Sequence, residues 1–173
     1  MDHFELFGLP RRVDVDVKAL EQRFRELSME LHPDRLVGAD ARDRRIAAER
    51  TASLNEGVKI LRDPVRRAFY LLKLKGVDVE SEQAAAKLQM PMEFLEEIME
   101  RREALERVKA AKDLDEAHRM AAEIRSARDA ALATARAALE TDDVPAAAQA
   151  LGRVRYYVRF LEEVDAFEEE LMS

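Results

Sequence analysis

Cysteine is absent from these 173 residues, which excludes a disulfide framework and any site built from the chain's own thiolates. Three histidines are too few for a histidine-rich metal cage, so no metal and no cofactor is expected. Glycine and proline number only five each, against abundant Ala, Leu, Glu and Arg, a composition that points to an all-α protein. No apolar run approaches the roughly 18–20 residues of a membrane span, so no membrane partner is expected. The opening Met1-Asp2-His3-Phe4-Glu5 has no basic segment followed by an apolar one, so no secretory signal is expected and the cytoplasm is the expected compartment. Strong positive charge is lacking as well. Residues 1–75 carry 16 Lys and Arg against 13 Asp and Glu, and residues 76–173 carry 13 against 23. So mild a basic excess, with three Tyr and no Trp, argues against nucleic acid as a partner. The asymmetry implies two modules with different partners.

What is present reads as helices. Phe4, Leu6, Phe7 and Leu9 form a short apolar segment before Pro10. Asp14 or Asp16 can cap the helix that follows, because a carboxylate accepts the unpaired N–H groups of a first turn. Val17, Leu20, Phe24, Leu27 and Leu31 then repeat at steps of three and four, one apolar stripe. Pro33 ends this helix. Residues 36–40 read as loop, and 41–62 as a second helix presenting Ile46 or Ala48, Thr51, Leu54, Val58 and Leu61. A short helix starts at Pro64 with Ala68, Tyr70 or Leu71, and Leu74 inward, and Gly76 closes it. Residues 76–91 are expected as a linker. Helices over 92–110, 114–140 and 144–171 follow with short connections, so residues 92–173 are expected as a three-helix bundle.

His32-Pro33-Asp34 lies between the first two long helices, after Phe24-Arg25-Glu26-Leu27 and before Leu54-Asn55-Glu56 and Leu61-Arg62-Asp63-Pro64. With the Phe4-Glu5-Leu6-Phe7-Gly8-Leu9 opening, residues 1–75 resemble the J domain of DnaJ-like co-chaperones. Arg67-Ala68-Phe69-Tyr70-Leu71-Leu72, Phe94-Leu95-Glu96-Glu97 and Leu105-Glu106 extend the likeness to the HscB-type J-proteins of iron–sulfur cluster assembly. Arg35 stands where Lys is common after the tripeptide, a change that keeps the charge. No cysteine-containing N-terminal extension precedes the opening, so the resemblance implies a bacterial-type member.

The resemblance implies a co-chaperone that stimulates the ATPase of an HscA-type heat-shock chaperone and brings it an IscU-type iron–sulfur scaffold protein. The chaperone would meet His32, Pro33 and Asp34, with Lys18, Arg23 and Arg25 on the helix leading to them. No enzyme activity is expected, since a loop between two helices offers neither a nucleophile in a cleft nor an oxyanion site. A general J-protein and a plain helical interaction protein without an iron–sulfur role are the alternatives.

Helix geometry adds a second surface. With Phe94 at zero and about 100° per residue, Ile98, Leu105 and Val108 fall within about 40° of it, a sufficient core stripe. Leu95, Met99 and Met92 fall near 100°, 140° and 160°, with Glu103 near 180° and Glu100 near 240°. On the last helix Leu151, Val154, Val158 and Leu161 define the expected inward face, and Tyr156 points nearly opposite. The resemblance places scaffold contacts on Leu95, Met99, Glu100, Glu103 and Tyr156, and geometry alone adds Met92. His3 and His118 are expected to be structural or solvated, and the seven methionines to be core or contact residues.

Overall fold

The computed structural model describes residues 1–173, whose regular elements are all helices, without a strand. In order, the elements are α1 (His3–Leu6), α2 (Val17–Glu30), a 3-10 turn (Pro33–Leu36), α3 (Ala41–Arg62), α4 (Pro64–Leu74), α5 (Glu82–Ala85), α6 (Met92–Ala110), α7 (Leu114–Glu140) and α8 (Val144–Met172). No helix is long and apolar enough to cross a membrane. Contacts divide the chain into two compact units, Met1–Leu71 and Leu72–Ser173.

Aspartates start the helices. Asp16, not Asp14, caps α2 by accepting the Ala19 N–H at 3.1 Å. Asp40 accepts from Asp43 at 2.8 Å, and Asp63 from Val65 at 2.8 Å. Asp113 and Asp143 do the same for α7 and α8. Each cap satisfies a first-turn donor that has no partner inside its helix. Gly76 ends α4 at φ +94°, a left-handed conformation that glycine adopts without a Cβ clash.

In the first unit α2 packs on α3 as a helical hairpin, and α1 lies against α3. Phe4, Phe7, Leu20, Leu54, Val58 and Leu61 form its core with Ala68 and Phe69. Ala47 is the buried residue at the start of α3, with Ile46 half-buried and Ala48 exposed, so the inward position falls between the two expected alternatives. Leu71 is buried and Tyr70 half-buried, while Leu74, expected inward, is exposed. The buried Arg67 guanidinium donates to the carbonyls of Val13 and Leu61, both at 2.6 Å, and pins the stretch before α2.

In the second unit α7 and α8 pack along each other, with α6 against both. Residues 76–91 are not a bare connection. Val79 is buried, Glu80 O accepts from Arg155 Nε at 3.0 Å, and Gln89 O accepts from Gln149 Nε2 at 2.8 Å. Arg159 pairs with Glu82. Gly152 lets this strap lie close on α8, because a Cβ there would come 2.7 Å from Leu88 Cδ2 and 2.8 Å from Met90 Sδ.

The inward face of α8 differs from the expected one. Leu151 and Val154 are buried, but the stripe continues through Tyr157, Phe160, Val164 and Phe167, leaving Val158 and Leu161 half-buried. Steps of three fall short of a full turn by about 60°, so Leu151, Val154, Tyr157 and Phe160 carry the stripe steadily round the helix. That drift brings Tyr156 to the core's edge. Its ring is half-buried and meets Phe94 edge-on at 5.5 Å, so it does not point away from the bundle.

Candidate functional site: an exposed turn and an apolar–acidic helix face

The His-Pro-Asp turn is built from its own residues. His32 is the N-cap of the 3-10 turn, and Pro33 supplies a first position that needs no N–H. The His32 Nδ1 accepts the Asp34 backbone N–H at 3.2 Å. The Asp34 carboxylate also lies 3.5 Å from Nδ1, a contact that would be ionic only if Nδ1 held a proton. With a backbone N–H directed at it, Nδ1 is the acceptor, which leaves the neutral ring's proton on Nε2 as a free donor. His32, Pro33 and Asp34 are all exposed and form no cleft.

A straight line of side chains leads to this turn. Lys18, Gln22, Arg25 and Met29 step by four and three along α2 toward the turn, and all are exposed. Lys18 and Arg25 have no carboxylate partner. Arg23 lies about 140° round from Lys18 and is paired with Glu26 at 3.2 Å. The structure therefore brings two of the three expected basic residues onto one face and leaves Arg23 off it. The line also contains two residues the sequence reading passed over, Gln22 and Met29. Met29 is 64% exposed one turn before His32. The heptad spacing of Lys18 and Arg25 was the signal that could have found both.

On α6, Phe94, Ile98 and Leu105 face the core, as the helical wheel predicts. Met92 and Met99 are 70% and 62% exposed, and Glu100 and Glu103 are exposed as well. Glu96 falls between the two methionines, so the outer face reads Met92, Glu96, Met99, Glu103, one helical turn apart each. Glu96 was not singled out from the sequence, although the same spacing places it there. Glu97 is neutralised by Arg101 at 3.1 Å, whereas Glu96, Glu100 and Glu103 have no basic partner. Leu95 is half-buried against the bundle core and forms the inner edge of the patch with Tyr156. Next to them Tyr157 meets Phe94 at 5.8 Å, and burial, with Glu97 nearby, pushes its phenol above the ordinary pKa. The six expected residues thus split into four on the open face and two at its packed edge.

Comparison with known proteins places this architecture. The family profile described as the HSCB C-terminal oligomerisation domain matches residues 90–165. A co-chaperone protein HscB homolog of Vibrio vulnificus is 36% identical over 174 residues, covering 100% of each chain. The structure of chaperone HscB from Vibrio cholerae superposes with a TM-score of 0.82 at 32% identity, covering 99% of each chain. The human co-chaperone protein HscB superposes with a TM-score of 0.84 at 25% identity, over 97% of this chain and 82% of that one.

Proposed function

Since this chain belongs to the HscB co-chaperone family, we propose that its first unit stimulates ATP hydrolysis by an HscA-type chaperone and its second carries an IscU-type iron–sulfur scaffold. The observation that carries this reading is the exposed, self-closed His32-Pro33-Asp34 turn at the end of an exposed line from Lys18 to Met29. A turn held by its own cap and proline loses little conformational freedom when it docks. The Nε2–H of His32 and the carboxylate of Asp34 present a donor and an anion on that turn. Lys18 and Arg25 favour approach to an acidic surface, which raises the encounter rate more than the affinity. Chemistry belongs to the chaperone in this reading, and the chain itself acts as an adaptor with no enzyme activity, working in the cytoplasm. The second unit, with its unpaired Glu96, Glu100 and Glu103 beside Met92 and Met99, fits a scaffold surface that is apolar with a basic rim.

Steady-state ATPase assays with the HscA-type chaperone test the first half. His32→Gln and Asp34→Asn are expected to abolish stimulation while helicity and scaffold binding stay at wild-type levels. Undiminished stimulation by both variants would remove the co-chaperone reading.

A further inference from the structure

Arg153 stands apart from the other basic residues of α8. Arg155 is bound to the Glu80 carbonyl and Arg159 to Glu82, so both are committed to the strap. Arg153 has no carboxylate partner. Its guanidinium carbon lies 4.8 Å from the centroid of the Phe94 ring. Phe94 is 3% exposed and packed in T-shaped pairs with Tyr156 and Tyr157, so the platform under the cation belongs to the core. A guanidinium lying on an aromatic face keeps most of its N–H groups at the rim, directed sideways and available to an anion. Arg153 is three residues from Tyr156 on one helix face, at the edge where Leu95 and Tyr156 close the apolar patch.

Resting on the scaffold reading above, we propose that Arg153 is an orienting contact that takes a carboxylate of the scaffold. The patch then carries two signs: unpaired acids on α6 at Glu96, Glu100 and Glu103, and a held cation on α8 one turn from Tyr156. An apolar ridge alone lets a partner rotate or slide. Opposite charges at its two edges admit one direction, because the reversed pose places acid on acid and base on base.

Calorimetric titration of the full-length chain with the scaffold at several salt concentrations tests this, using wild type, Arg153→Lys, Arg153→Gln, Arg153→Glu and Met99→Ala. Arg153→Gln is expected to weaken binding about tenfold and Arg153→Glu further, with Arg153→Lys between Gln and wild type. The dependence of affinity on salt is expected to flatten in Arg153→Gln, which the loss of a purely structural prop would not cause. If Met99→Ala weakens binding but all three Arg153 variants bind as wild type, Arg153 is no contact and the scaffold reading stands. Weaker binding with unchanged salt dependence and a lowered melting temperature would likewise overturn the contact in favour of a structural role. No binding by the wild-type chain would overturn both.

Discussion

His3 packs against Tyr70 in a tilted ring pair with centroids 4.7 Å apart, and its backbone N–H donates to the Tyr70 hydroxyl at 3.0 Å. Burial pushes the imidazole below its ordinary pKa, against the opposing pull of the Glu56 and Asp2 carboxylates. The unfolded chain therefore binds more protons than the folded one from about pH 6.5 downward, and stability falls as pH drops through that window. His3→Gln is expected to flatten the fall of melting temperature between pH 7 and pH 5.5, whatever it does to the value at pH 7. Thermal melts at several pH values check this, and an unchanged slope would assign the acid sensitivity to other groups. The same corner explains a glycine inside α3. A Cβ on Gly57 would come 2.8 Å from Phe7 Cε2 and 3.1 Å from His3 Nδ1. Phe7 is 2% exposed and cannot give way, so the close approach outweighs the roughly 1 kcal/mol that Gly loses to Ala within a helix.

Helices were legible where two signals coincided. The bounds of α3, α4, α6 and α7 match their reading because an aspartate cap or a proline marks each start, and three-and-four spacing fills the interior. Four-residue elements such as α1 and α5 have too little sequence to show a period. The strap along α8 was hidden for another reason, since Gly152 gives no sign of what approaches it. On α8 the aliphatic spacing alone hides the drift of the stripe through Tyr157 and Phe160, and with it the place of Tyr156 at the core's edge. That correction changes what substitution should do on this pair of helices. Replacing Met92 and Met99 together by Ala removes only exposed side chains, so the melting temperature is expected to hold while scaffold affinity falls about tenfold. Leu95→Ala and Tyr156→Ala are expected to lower stability as well, the latter by about 0.5–1.5 kcal/mol for the lost aromatic pair. Calorimetry and melting curves on the same samples separate the two classes. A large melting shift in the Met92/Met99 variant would place those side chains in the core.

On the proposed reading the molecule works by carrying two unrelated surfaces on one chain. The charge record fits such a division, with a slight basic excess before residue 76 and a strong acidic one after it. Joining the surfaces turns the second encounter into an intramolecular one, at an effective concentration that can reach the millimolar range for short connections. Two defective chains mixed together keep both surfaces but lose that gain. One chain carries His32→Gln and binds scaffold; the other carries Met92→Ala and Met99→Ala and keeps the turn. With each component near 1 μM, wild type plus scaffold is expected to stimulate the chaperone's ATPase well beyond the sum of their separate effects. The mixture is expected to give only that sum, because scaffold and turn now arrive independently. Stimulation by the mixture equal to wild type would show that the covalent connection contributes nothing. Two separate proteins would then serve as well as one, and the adaptor reading would lose its physical basis.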